Sequence, residues 1–264
     1  MMVYGLVSII TPTWNCAQFI CETILAVKAQ TYQDWEMIIQ DDCSTDHTYE
    51  VIKPYLEEDS RIKYFCNEKK CGAAITRNNA LRVAKGRWIV FLDSDDIWMP
   101  QKLEKQLKYM VENDYAFTYH EYTEMSEDGK DLGVYVSGKK KIGELGMFSC
   151  CWPGCLTVMY DAKKVGLIQI ADVKKNNDIA LWLKVIKKAK CYLLQENLAK
   201  YRRRKGSITP SSIRTKIMWH YILFRKAEQM NPVLASFWMC INILGNSYKK
   251  LFYVKGYIPT SLIK

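Results

Sequence analysis

Apolar and polar positions along the chain fall into two alternating regimes. Short, nearly unbroken apolar runs occur at Leu6-Val7-Ser8-Ile9-Ile10, Trp35-Glu36-Met37-Ile38-Ile39-Gln40 and Ile89-Val90-Phe91-Leu92, and these read as buried strands. Segments of helical period separate them. One runs from about 17 to 29, with Phe19, Ile20, Ile24 and Val27 on one face. A second spans about 47–57, behind the capping residues Ser44-Thr45-Asp46. A third opens at Gly72, carries Arg77, Leu81 and Val83, and closes at Gly86. Residues 61–66 add a short strand, and Pro100 starts a helix reaching about Asn113. Strand–helix alternation over the first 120 residues predicts an α/β fold around a mostly parallel sheet.

The pattern then changes. Residues 115–122 and 133–137 read as strands around the turn Ser126-Glu127-Asp128-Gly129. Residues 155–160 form another strand candidate. Asn176-Asn177 can cap a strongly periodic helix whose apolar residues include Ile179, Leu181, Trp182 and Val185. Short strands are expected at 192–194 and 198–201, and helices from about Ser211 to the end. No linker interrupts the chain, so the expected organisation is one domain over 1–210 with a helical extension over 211–264.

The polar residues are placed unevenly. Thr11-Pro12-Thr13-Trp14-Asn15 ends the first strand, Asp41-Asp42 the second, and Asp93-Ser94-Asp95-Asp96 the run at 89–92. Open α/β sheets bind ligands beyond the carboxyl ends of their strands. Three crowded carboxylates beside a hydrophobic strand repel one another and call for positive charge. Oxygen-only donors favour Mg²⁺ or Mn²⁺, which commonly arrive with a substrate phosphate. A solvated acidic turn is the plain alternative for this loop taken alone.

Composition narrows the options. With 264 residues, 49% hydrophobic and 25% charged, the chain has the composition of a folded protein. Ten cysteines, no CxxC pair and three histidines argue for reduced thiols rather than zinc. Met1-Met2-Val3-Tyr4-Gly5 leads directly into a strand, which predicts a cytoplasmic protein without a signal peptide. The net charge of +10 is concentrated late: from Lys200 onward thirteen Lys or Arg face one acid, Glu228. Apolar stretches such as 237–244 fall short of a spanning helix. Basic plus aromatic character suits an element lying peripherally on an anionic leaflet, the inner face of the plasma membrane. The basic residues lack any nucleic-acid recognition context, so no nucleic-acid partner is expected.

Together these stretches resemble the family 2 glycosyltransferases, which have the GT-A fold and use nucleotide-activated sugars. The resemblance rests on residues 7–15, on 35–46, on Gly72-Ala73-Ala74 through Arg77-Asn78-Asn79-Ala80, and on Leu92-Asp93-Ser94-Asp95-Asp96 with Trp98-Met99-Pro100. It covers roughly residues 5–208. It implies a nucleotide-binding half at 1–120 and an acceptor half at 121–210. Thr11, Pro12 and Trp14 would line the nucleoside pocket, and Asp42 would accept a hydrogen bond from uracil. Arg77 and Ser94 would lie near the nucleotide, and Asp93 would contact the ribose or the metal. Asp95 would bind Mn²⁺ or Mg²⁺, with Asp96 supporting the turn. Asp178, before Leu181-Trp182, matches the family's catalytic base, and its place at a helix N-terminus favours the charged form. Asn177 stands where Glu is common. Arg204 stands where relatives often carry His; it could clamp diphosphate but not ligate a metal. Trp152 falls in the acceptor region, where it could stack on a sugar or serve as a core aromatic.

The implied reaction is an inverting transfer of a hexose from a UDP-sugar to a lipid-linked saccharide acceptor, giving a β-glycoside, as in O-antigen or capsule assembly. An inactive nucleotide-sugar binding protein and a Mg²⁺-dependent nucleotidyltransferase remain the competing readings.

Overall fold

The computed structural model describes residues 4–204 and 213–256. Among them, eleven strands join in one sheet. In chain order they are β1 (Val7–Thr13), β2 (Trp35–Asp41), β3 (Ile62–Cys66), β4 (Trp88–Phe91), β5 (Ile97–Trp98), β6 (Phe117–Met125), β7 (Asp131–Val136), β8 (Lys141–Ile142), β9 (Met159–Asp161), β10 (Cys191–Arg202) and β11 (Val254–Lys255). The helices are α1 (Ile20–Lys28), α2 (Thr48–Glu58), α3 (Ala73–Val83), α4 (Lys102–Glu112), α5 (Glu144–Ser149), α6 (Ala162–Val165), α7 (Asn177–Ile186), α8 (Ile213–Ile222) and α9 (Pro232–Tyr253).

β3, β2, β1 and β4 are parallel neighbours. β9 lies antiparallel between β4 and β6, so the sheet continues from the first half of the chain into the second. The parallel strands alternate between two cores. Ile9, Met37, Ile39 and Val90 pack with Ile20, Ile24 and Val27 of α1 and Leu103, Leu107 and Met110 of α4. Ile10, Ile38, Ile89 and Phe91 face the opposite core, with Leu81 of α3 and Trp182 of α7. Period-two alternation of apolar residues on both faces is what a doubly covered sheet requires. Helices α1 and α7 bury the residues their periodicity predicted.

Three expectations are corrected. Residues 155–160 are not one strand: Cys155–Thr157 is a 3₁₀ turn closed by the Thr157 hydroxyl donating to Gly154 O at 2.7 Å, and β9 follows. The two short strands expected at 192–194 and 198–201 are one strand, β10. It runs parallel to β6 and absorbs the polar Gln195-Glu196 interruption as a register shift between Leu194 and Asn197. The chain beyond 213 is also not helical throughout, because β11 pairs with β7 and forms that edge of the sheet. The segment Lys205-Gly206-Ser207-Ile208, the boundary at 210 and the helix start near Ser211 lie outside the described residues.

The extension packs on the second half of the chain. Leu223 and Phe224, in a π-helical turn after α8, are buried. In α9, Asn242 donates to Phe148 O at 2.8 Å. Gly245 approaches so closely that an added Cβ would lie 2.0 Å from Ser149 O.

One buried charge stands out. Lys102 is fully buried; its amine sits 3.8 Å from the centre of the Trp98 ring and has no hydrogen-bond partner among the described residues. Burial holds its pKa well below the ordinary value. Lys102→Met should therefore stabilise the fold by about 1–3 kcal/mol at neutral pH, read from urea denaturation. The unfolded chain binds the proton more tightly, so wild-type stability should rise with pH up to the ordinary lysine value, and the variant should lack that slope.

Candidate active site

The carboxyl ends of β1, β2 and β4 converge, and side chains tie their loops together. Asn15, at a positive φ of 48° that Asn tolerates, donates its N–H to Ser44 Oγ at 2.8 Å and accepts from Thr45 N at 2.8 Å. Trp14 is 44% exposed at this edge, with the Lys70 amine 3.3 Å from its ring centre. Pro12 is half-buried. Thr11 does not reach the cleft: it is fully buried within β1, and its hydroxyl has no partner among the described residues. Of the three, only Pro12 and Trp14 are open at this edge.

Asp42 is buried and already engaged. Its carboxylate accepts from Cys71 N at 2.7 Å, Gly72 N at 2.8 Å, Asn67 Nδ2 at 3.0 Å and Cys71 Sγ at 3.3 Å. Burial alone would raise its pKa, but these donors hold it below the ordinary value. Three of these donors share Oδ1 and only Gly72 N reaches Oδ2, so Oδ2 keeps acceptor capacity. Asp42 thus fixes the loop before α3 chiefly through Oδ1, while Oδ2 holds one donor, Gly72 N. Beside it, Cys43 and Cys66 both donate to Asn67 O, at 3.1 and 3.4 Å.

The acidic loop after β4 is held from three sides. Arg77, almost fully buried on α3, pairs with Asp93 and donates to Asn177 Oδ1 at 2.5 Å. Asp96 Oδ1 accepts from Arg202 N at 2.9 Å, and its carbonyl accepts from the Thr23 hydroxyl at 2.9 Å, which is the turn-supporting role. Ser94 is buried, and its carbonyl accepts from Cys16 Sγ at 3.2 Å. Asp95 pairs with Arg204 Nε at 2.7 Å. The sequence reading missed Arg202: its guanidinium donates to Asp95 O at 2.9 Å and Glu127 O at 2.8 Å and pairs with Glu22 at 2.6 Å. An arginine run following three crowded acids was the available signal.

The donor set fits a hard divalent ion. Burial, and then repulsion from Asp93, raise the Asp95 pKa against the pull of Arg204. Burial and the Asp95 charge push Asp96 well up. Burial and mutual repulsion thus outweigh the three arginines that touch the loop. No group of three metal-ligating side chains converges among the described residues.

Asp178 lies in the first turn of α7, beside Asn177. Burial raises its pKa; Arg77 opposes that, and Asp93 adds to it. The expected stabilisation of the charged form by the helix terminus is outweighed, which makes Asp178 a stronger base than an exposed aspartate. Arg77 thus links the acidic loop to the turn that carries Asp178, across 100 residues of sequence. Trp152 is 3% exposed, donates to Gly146 O at 3.2 Å and packs edge-on with Tyr253. It takes the core role of its two options. The acceptor-side loop instead meets Lys249 of α9, whose amine donates to Cys151 O at 3.1 Å and Trp152 O at 2.7 Å.

Residues 8–141 match the profile of glycosyl transferase family 2. The chain is 38% identical to the putative teichuronic acid biosynthesis glycosyltransferase TuaG of Bacillus subtilis (strain 168), over 93% of this chain and 97% of that protein. It is 34% identical to the UDP-Glc:alpha-D-GlcNAc-diphosphoundecaprenol beta-1,3-glucosyltransferase WfgD of Escherichia coli, over 98% and 94% of the two chains. In fold it resembles S. aureus TarS 1-349, solved in complex with UDP-GlcNAc, with a TM-score of 0.70 at 18% identity over 94% of this chain and 73% of that one.

Proposed function

The chain belongs to glycosyl transferase family 2, and from that premise we propose that it transfers a hexose from a UDP-sugar to a lipid-linked saccharide, with inversion, at the inner face of the plasma membrane. That it is a glycosyltransferase of GT-A fold follows from the family and the architecture. The donor, acceptor and stereochemistry are the proposal. The observation that carries it is Arg77, which joins Asp93 of the acidic loop to Asn177 beside Asp178. A diphosphate held at the loop and an acceptor hydroxyl at Asp178 would then share one site. The acceptor class follows WfgD, whose named acceptor is a GlcNAc-diphosphoundecaprenol.

In this reading Asp178 takes the proton from an acceptor hydroxyl as that oxygen attacks the anomeric carbon. The bond to UDP breaks on the opposite face, so an α-linked donor gives a β-glycoside. Asp95, with Asp93, would hold Mn²⁺ or Mg²⁺, which supplies compensation for charge on the leaving diphosphate. Arg204, once freed from Asp95, would meet diphosphate oxygens. Pro12 and Trp14 would flank the nucleoside.

Incubation with UDP-glucose and a GlcNAc-diphosphate-lipid should release UDP only when acceptor is present, with a β-linkage in the product by NMR. Pyrophosphate release would point to a nucleotidyltransferase. UDP binding without transfer would point to a binding protein. Calorimetry adds a separate check: Mn²⁺ should strengthen UDP binding over chelator in wild type. Asp95→Ala should remove that gain.

A further inference from the structure

α9 has two unlike faces. Inward, Ala235, Asn242 and Gly245 lie against the body. Outward, Val233, Phe237, Leu244, Tyr248, Leu251 and Phe252 are 46–81% exposed. Their recurrence, four, seven, four and three residues apart with Phe252 adjacent, puts them on one side of the helix. The helix has 22 residues, about 33 Å at 1.5 Å per residue. A continuous apolar stripe of that length marks a binding surface.

The charge of the extension that carries it selects the occupant. Residues 213–256 carry seven Lys or Arg against Glu228 alone. Glu228 is no exposed counter-charge, because its side chain is 2% exposed and paired with Lys187. Arg214, Lys226, Lys250 and Lys255 are exposed. Two copies of such a face would repel each other, whereas an anionic surface would attract it. No helix among the described residues is long and apolar enough to cross a membrane, and Asn242, Asn246, Lys249 and Lys250 interrupt α9. A helix of this kind lies in the interface plane.

We propose that the outward face of α9 seats the protein on an anionic lipid bilayer, its apolar side chains in the headgroup boundary and its basic residues against the lipid charge. This rests on the reading that the acceptor is lipid-linked. It adds the surface and its coupling to the site: on the inward side, Lys249 holds the carbonyls of Cys151 and Trp152, and Cys151 lies within electrostatic reach of Asp178. One helix therefore meets the bilayer on one face and the acceptor-side loop on the other.

The test is flotation of the full chain with phosphatidylglycerol/phosphatidylcholine vesicles, and with phosphatidylcholine alone, at low and high salt. The variants are wild type and Phe237→Gln/Leu244→Gln/Leu251→Gln. Wild type should float with the anionic vesicles and lose binding in salt. The triple variant should bind at least about tenfold more weakly while keeping its circular dichroism and its transfer to a water-soluble acceptor. A triple variant that binds as wild type does overturns the assignment of this face and leaves the lipid-linked reading standing. Wild type that ignores both vesicles removes membrane seating altogether. A salt-stable dimer in wild type that the triple substitution dissociates gives the stripe to a second copy and overturns the proposal.

Discussion

Asp178→Asn is expected to reduce kcat by roughly a hundred- to ten-thousand-fold, the range for loss of a positioned base. Asparagine keeps the shape and the start of α7 but cannot take a proton. UDP affinity should stay unchanged, because the contacts proposed for the nucleotide lie on the loops after β1 and β4. The wild-type kcat/KM profile should fall on the acid side at a pH above the ordinary aspartate range, since burial raises this carboxyl. The residual activity of the Asn variant should lack that limb. Steady-state kinetics with the GlcNAc-diphosphate-lipid reads both outcomes, and a variant within threefold of wild type would remove Asp178 from the chemistry.

Arg77→Met should cost about 3 kcal/mol of stability, the lower end for a broken buried ion pair, because Asp93 keeps 31% exposure and some hydration. Two carboxylates feel the loss. Asp93 forfeits its partner, and Asp178 loses the cation that restrains its pKa. Transfer should therefore fall further than folding alone accounts for, with Asp178 titrating higher still. Asp93→Asn on the Arg77→Met background should restore part of the stability, and a double-mutant cycle in urea measures the coupling. Additivity of the two substitutions would show that the pair contributes nothing.

The first half of the fold was legible because its strands are unbroken apolar runs and its helices have clean periods. The parallel sheet and the acidic loop at its edge follow directly from that regularity. The second half was harder for physical reasons. β10 hides a bulge where two polar residues look like a strand end, and Cys155–Thr157 has strand-like composition yet turns around Gly154. Site residues were readable by type more than by contact. The period of α3 gave no sign that Arg77 would reach Asn177, and nothing local in β1 showed that Thr11 points into the core. Asp42 and Trp152 were found as residues, but a sequence does not show that a carboxylate already holds a loop or that a ring is covered.

The close fit of Gly245 on Ser149 and the grip of Lys249 on residues 151–152 bear on how this enzyme can be shortened. A chain stopped before Ile213 would strip the cover from Phe148 and Trp152 and leave residues 151–152 without their fastening. The tail is thus not a detachable leash, and trimming it for solubility would give up the acceptor side along with it.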